Sequence, residues 1–220
     1  MNAYEQYLND GDINKILNTI NDFQGVRAAC HGKGHALYVV DMAAHILKSL
    51  SYDPRTIELG KIAALLHDIG NIAGRWNHAR KSAALVEVFL DGPVHFTPEE
   101  NSTIIQAIED HSTGKNILSA IGAALLIADK VDISQRRILP AETLDEWHKN
   151  LLEIKNVDVA VTSKAITINY LTTGAFSKDL LISDYAKGFE LPIKAAKYLG
   201  CACHFQFNGI EDTTEKWPPR

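Results

Sequence analysis

The stretch Ala63-Ala64-Leu65-Leu66-His67-Asp68-Ile69-Gly70 constrains the fold more than any other. An apolar run that must pack in a core ends in two adjacent side chains able to bind a metal. Asp53 before Pro54 supplies an N-cap followed by proline at the first helical position, and Gly70 suits a left-handed turn after the last helical residue. The pattern predicts a helix from Pro54 to about Asp68. Ile57, Ile62, Ala63, Leu65, Leu66 and Ile69 cover much of its circumference, which delivers the His-Asp pair to the interior rather than to water. An ionised carboxylate there is costly unless a cation or a dense hydrogen-bond network compensates it.

The flanking chain reads mostly as further helices. Tyr4 to Ile20 is amphipathic and restarts near Gly11-Asp12, with Ile13, Ile16, Leu17 and Ile20 at helical spacing. A second helix runs from His35 to Leu50, with Leu37, Val40, Ala44 and Leu47 as its stripe; His45 lies beside the stripe as an ordinary surface residue. Helices follow from His78 to Leu90, stopped by Asp91-Gly92-Pro93, and from Thr97-Pro98-Glu99-Glu100, a capping box, to His111. The segment Ile117 to Val131 is nearly all apolar or small, as a central helix should be, yet carries Asp129.

After a helix from Leu139-Pro140 to about Ile154 the period changes. Val157, Val159 and Val161 alternate with polar residues, as do Ile166, Ile168 and Tyr170, which predicts a β-hairpin around Ser163-Lys164. A helical stretch from Ser177 to Leu199, broken near Gly188 and Pro192, leads to a third strand, Ala202 to Phe207. The fold expected is mainly α: a helical bundle over residues 1–155 and a small α+β extension over 156–220 with a disordered tail from Glu211. The extension can pack on the bundle, close over a site or pair with another subunit in a homodimer. Cys201 and Cys203 share a strand face opposite His204, so they read as packing rather than a metal clip.

At 220 residues the chain can bury a full core, and a net charge of -5 gives no footprint for a nucleic-acid polymer. Cys30, Cys201 and Cys203 show no disulfide or zinc-ribbon spacing, which fits a reducing, cytoplasmic setting. No signal peptide is expected at the N-terminus, and Ile117 to Ala128 is short of the about 20 residues that span a bilayer, so no membrane is expected as partner.

His35, His67, Asp68, His78, His111 and Asp129 fall at or near the ends of predicted helices. Any one of these histidines alone is an ordinary core or surface residue; the group is not. Asp68 and Asp129 in apolar helices need compensation, and a cation shared with the histidines supplies it. Imidazole plus carboxylate without thiolate suits Fe, Mn, Zn, Ni or Co.

The pattern H…HD…H…H…D over about residues 30–137 resembles that of the HD superfamily of metal-dependent phosphohydrolases. Leu65-Leu66-His67-Asp68-Ile69-Gly70 and Ile127-Ala128-Asp129-Lys130-Val131-Asp132 carry the resemblance. It implies an HD-type helical bundle in which His35, His67, Asp68 and Asp129 hold one ion. His78 and His111 match the additional histidines of dinuclear members, where the aspartate of the HD pair bridges two divalent ions. His111-Ser112-Thr113-Gly114 and the Asp129 segment are similar to the branch that contains bacterial symmetrical dinucleoside-tetraphosphate hydrolases. The implied reaction is hydrolysis of a phosphate ester or anhydride, of a nucleotide or dinucleotide, by metal-activated water around Asp68.

One departure stands out. Many members have Lys shortly after the HD pair, whereas this chain has Asn71. Arg75 and Lys115, in loops beside ligands, are the better substitutes for holding substrate phosphate or assisting catalysis; Lys130 is a further candidate. Arg80 and Lys81 read as solvated helix-face charges. Arg136 and Arg137 hold phosphate or cap the Asp129 helix. Asp110 or Glu109 can orient His111, and Asp132 reads as a surface residue. Neither Cys30 nor any serine lies in a nucleophile motif. Two other readings share the ligand set: a di-iron oxygenase of the HD type, and a non-catalytic metal- or nucleotide-binding regulatory module.

Overall fold

The computed structural model describes residues 2–23, 31–92, 94–138 and 144–212. Two short helices open the chain, α1 (Ala3–Leu8) and α2 (Gly11–Phe23). The side chain of Asn2 accepts from the Glu5 amide while Glu5 reaches back to the Asn2 amide, so α1 begins on a capping box. Asp10 accepts from the amides of Asp12 and Ile13 and restarts the chain as α2.

The bundle consists of α3 (Lys33–Ser49), α4 (Pro54–Leu66), α5 (His78–Leu90), α6 (Pro98–Asp110) and α7 (Ala120–Lys130). α4 and α7 lie at its centre, each packed against α3, α6 and the other, and α5 packs on α6. Residues 123–129 of α7 are all buried, which is why this helix reads as apolar all round. Caps fix the starts. Asp53 accepts from the amides of Arg55 and Thr56, Thr97 from that of Glu100, and Ser119 from that of Gly122.

α8 (Glu146–Leu152) leads into β1 (Ile154–Val161), which pairs antiparallel with β2 (Ala165–Thr172), Val157 opposite Tyr170 and Val159 opposite Ile168. Ile166, Ile168 and Tyr170 point into the core, as the alternation predicts. α9 (Lys178–Asp184) and α10 (Ala186–Tyr198) then cross over to β3 (Ala202–Phe207), which lies parallel to β2; β4 (Ile210–Glu211) closes the sheet antiparallel to β3. α10 packs on β3 and also on α7, and the Tyr185 hydroxyl donates to the Lys130 carbonyl at 3.1 Å. Of the placements open to the extension, packing on the bundle is the one observed. The protein is mainly helical, with a small C-terminal sheet. No helix among the described residues is long and apolar enough to cross a membrane.

Several boundaries differ from the sequence reading, each for a local reason. α7 starts at Ala120, not Ile117, because Ser119 caps it; Leu118 is left exposed. α8 starts on the Asp145 cap, and Ile154 belongs to β1 rather than to that helix. The break between α9 and α10 falls at Tyr185, ahead of Gly188 and Pro192, both of which lie inside α10. Glu211 is in β4. Leu139-Pro140, Cys30, Pro93 and the tail beyond residue 212 lie outside the described residues.

The largest local difference is at Gly70. α4 ends at Leu66, His67 keeps helical angles as its cap, and Ile69–Ala73 continue as a tight 3₁₀ turn, so Gly70 is not left-handed. Its lack of a side chain serves close approach instead. A Cβ there would stand 2.3 Å from the Ser82 amide nitrogen and 2.5 Å from the His78 carbonyl oxygen. The Gly70 amide donates to Ser82 Oγ at 2.9 Å, which seats the turn on the first turns of α5. Gly70→Ala must push two backbones apart, so it is expected to lower stability by about 1–3 kcal/mol, measured by urea unfolding.

Candidate metal centre

Five helix ends meet at one point. His35 lies in the first turn of α3, His67 caps α4 with Asp68 next in the chain, His78 opens α5, His111 caps α6, and Asp129 is the penultimate residue of α7. All but His78 are buried.

Asp68 stands in the middle, and its two oxygens face different rings. Oδ2 lies 3.6 Å from His35 Nε2 and 3.4 Å from His67 Nε2, while Oδ1 lies 3.4 Å from His78 Nε2 and 3.6 Å from His111 Nε2. Asp129 Oδ1 joins the first set, 3.3 Å from His35 Nε2. Within each set two rings stand nitrogen to nitrogen, His35 and His67 at 3.2 Å and His78 and His111 also at 3.2 Å.

The far nitrogens say where the ring protons are. Nδ1 of His67 donates to the Ala64 carbonyl at 2.7 Å, that of His111 to Ile108 at 2.6 Å and that of His78 to Arg75 at 3.1 Å. His35 Nδ1 meets Asp132 Oδ2 at 2.6 Å. A carbonyl only accepts, so the network assigns the proton to Nδ1 and turns each Nε2 lone pair inward. Lone pairs and carboxylate oxygens at these separations repel unless positive charge lies between them. Metal bonds of about 2.0–2.1 Å set neighbouring ligand atoms about 2.9–3.4 Å apart; the closest contacts here run from 3.2 to 3.6 Å, and His67 Nε2 to Asp129 Oδ1 is 3.9 Å. Asp68 Oδ1 is also buried without a hydrogen-bond partner among the described residues, as befits an oxygen reserved for an ion. The donor set and its spacing fit a divalent cation.

Residues 33–139 match the HD domain family. Among solved structures, a crystal structure named as a predicted HD superfamily hydrolase, from an uncultured Thermotogales bacterium, is similar at 24% identity. It covers 61% of this chain and 75% of that one, with a TM-score of 0.46. The comparison with curated proteins gives no match.

Electrostatics at the cluster follow from the crowding. Burial opposes ionisation of Asp68, yet the imidazoles of His67, His111 and His31 hold its carboxyl well below the usual carboxylate range. Burial likewise opposes Asp129, and Lys130 and His35 outweigh it. Burial pushes His78 down. It would do the same to His67, but Asp68 and Asp129 prevail and raise that ring above its ordinary value.

The cationic residues divide. Asn71 folds its amide back onto the Asp68 carbonyl at 3.0 Å, so it makes a turn where a lysine would reach outward. Arg75 meets His31 Nε2, and Arg137, which is buried, brings Nη2 within 3.0 Å of His31 Nδ1. Arg136 pairs with Asp132 and lies 3.9 Å from the centre of the Tyr38 ring, and Lys130 pairs with Asp129. Lys115 is exposed and makes no hydrogen bond or ion pair among the described residues. Arg80 is solvated as expected, but Lys81 is not: it donates to the Ala73 and Gly74 carbonyls and ties down the turn before α5.

Two acids change places relative to the sequence reading. Asp132 is not a surface residue; it is 1% exposed, holds His35 Nδ1 and is paired with Arg136, while Arg137 donates to its carbonyl at 3.0 Å. Glu109 and Asp110 do not orient His111, because the Ile108 carbonyl does. His31 was passed over entirely, yet its Nδ1 is 2.9 Å from Asp68 Oδ2. The available signal was its place four residues before His35, between which only Gly32-Lys33-Gly34 intervene. Asp132→Asn weakens the acceptor that fixes the His35 tautomer; metal affinity measured by calorimetry is expected to fall about 10–100-fold.

Proposed function

We propose that the HD domain binds divalent transition metal on both sides of Asp68 and hydrolyses a phosphate ester or anhydride, with a nucleotide or dinucleotide as substrate. One observation carries the reading: a single buried carboxylate presents each oxygen to its own pair of inward-facing imidazole nitrogens. The match of residues 33–139 to the HD domain supports it. His35, His67, Asp129 and Asp68 Oδ2 would hold one ion, and His78, His111 and Asp68 Oδ1 the other. Fe, Mn, Zn, Ni and Co all suit such ligands. Ions bound there supply a water of lowered pKa and positive charge for the phosphoryl oxygens.

The chain's own residues do the rest. Asp132, Ala64, Ile108 and Arg75, the last three through their carbonyls, hold the four rings in the tautomer that presents Nε2. Arg75 and Arg137 approach His31 beside Asp68 and are the contacts for substrate oxygens in this reading; a guanidinium matches a phosphate with paired N–H donors. Lys115 is exposed and available to the same anion. Arg136, committed to Asp132, holds the site rather than the substrate.

Protein purified with its metal is expected to hydrolyse members of a panel of nucleotides, dinucleotides and aryl phosphates. Chelation should abolish turnover and Mn²⁺, Fe²⁺ or Co²⁺ restore it, while Asp68→Asn should cost at least about 10³-fold, several kcal/mol of metal-derived stabilisation. Oxygen uptake with no phosphate release would replace this reading with the oxidative one, and nucleotide binding without turnover would replace it with the regulatory one.

A further inference from the structure

We propose that His31, which lies outside the HD motif, is a positioning residue: it donates from Nδ1 to Asp68 Oδ2 and so fixes how that carboxylate is shared between the two sets of rings, with Arg75 setting its tautomer. The inference rests on the metal reading above. His31 Nδ1 is 2.9 Å from Asp68 Oδ2, nearer than the His67 and His35 nitrogens at 3.4 and 3.6 Å, and its side chain is only 12% exposed.

His31 is also turned the other way round. The four motif rings show Nε2 to the carboxylates and Nδ1 to an outer acceptor, whereas His31 shows Nδ1 inward and Nε2 to the Arg75 guanidinium. An ionised carboxylate only accepts, so the 2.9 Å contact with Asp68 Oδ2 places the proton of the neutral ring on Nδ1, and Nε2 is left to accept from the Arg75 guanidinium. Arg137 Nη2 lies 3.0 Å from the same Nδ1 and could donate to it only in the other tautomer, so Asp68 and Arg137 compete for that nitrogen; Nη1 of Arg137 is held by the Asp132 carbonyl. With Nδ1–H on Oδ2, one lone pair of that oxygen is used and rotation of the carboxylate about its last bond is stopped. Oδ1 then faces His78 and His111.

Arg75 acts on both sets at once. Its guanidinium meets His31, and its carbonyl accepts from His78 Nδ1. The backbone is bent to allow this: Gly74 and Asn77, on either side of Arg75-Trp76, both have positive φ, +89° and +52°. The competing role, Nδ1 as a further metal ligand, is open to the same distances, because His31, His35 and Asp68 offer atoms within 4.8 Å of one another. The Asp68 and Arg75 contacts favour the donor role and the Arg137 contact the ligand role, and the test separates the two.

The full-length chain, stripped of metal, is titrated with Co²⁺ by calorimetry and by its visible d–d absorption, in the wild type and in His31→Ala, His31→Asn and Arg75→Ala. His31→Ala is expected to weaken Co²⁺ binding about 10–100-fold. His31→Asn is expected to recover most of that loss with a wild-type spectrum, since its amide nitrogen overlies Nδ1, and Arg75→Ala to fall between. Wild-type affinity in His31→Ala overturns the proposal. So does an Asn variant no tighter than Ala with altered d–d intensity, the mark of a lost ligand. A wild type that takes up no Co²⁺ overturns the metal reading itself, and this proposal with it, which a flat comparison between binding variants would not.

Discussion

The helical part is arranged around one buried carboxylate, Asp68, that no lysine or arginine among the described residues pairs with. Three carboxylates are buried at the helix ends. Asp129 has Lys130, and Asp132 has Arg136 and Arg137. Among the described residues the side chains that pair with Asp68 are imidazoles, those of His31, His35, His67, His78 and His111. Taking a carboxylate out of water costs several kcal/mol even after relaxation. His31 donates one hydrogen bond to Asp68, but the lone pairs that the other rings turn inward add dipoles of the wrong sign. A divalent cation reverses both terms together, since the same lone pairs that repel the carboxylate bind the ion.

The local means of building this is repeated along the chain. His67 and His111 each stand at the C-cap of a helix and each donate Nδ1 to the carbonyl three residues earlier. That bond satisfies a carbonyl that the helix end would leave without a partner, fixes the tautomer and aims Nε2 away from the helix. His78 uses the same three-residue step before its helix begins. Close turns follow the two capping histidines. Gly70 passes against the α5 backbone, and Gly114, with φ of +56°, would place a Cβ 2.7 Å from Leu191 Cδ2. Residues with side chains at either glycine would hold the helix ends apart and open the ligand sets.

This explains what could be read from the sequence. The six motif residues were legible because a helix end is marked by caps and glycines, and because Asp68 and Asp129 interrupt apolar runs that give them no other reason to be there. The β-hairpin was legible from a period of two, which follows directly from strand geometry. Asp132 was not, because its burial is set by α3, whose His35 lies 97 residues away, and nothing local to Asp132 encodes that contact. His31 was hidden for the same reason: it precedes its helix and acquires its neighbours only when α4 and the turn carrying Arg75 are in place. The parallel pairing of β2 and β3 joins strands separated by α9 and α10, so alternation identifies the strands but not their partners.

The sheet extension is tied to the metal centre by the same packing logic. α7 is buried on every side from residue 123 to 129, and α10 covers the face that α3, α4 and α6 leave open. Leu191 of α10 closes on Gly114 and so on the turn that follows His111, while Tyr185 holds the last carbonyl of α7, one residue beyond Asp129. Two of the helix ends that carry the clustered side chains are thus braced by the C-terminal segment. α10 also packs against β3, so one helix joins the small sheet to the bundle. The burial of Asp129 is in part the work of a segment that contributes no side chain to the histidine-aspartate cluster.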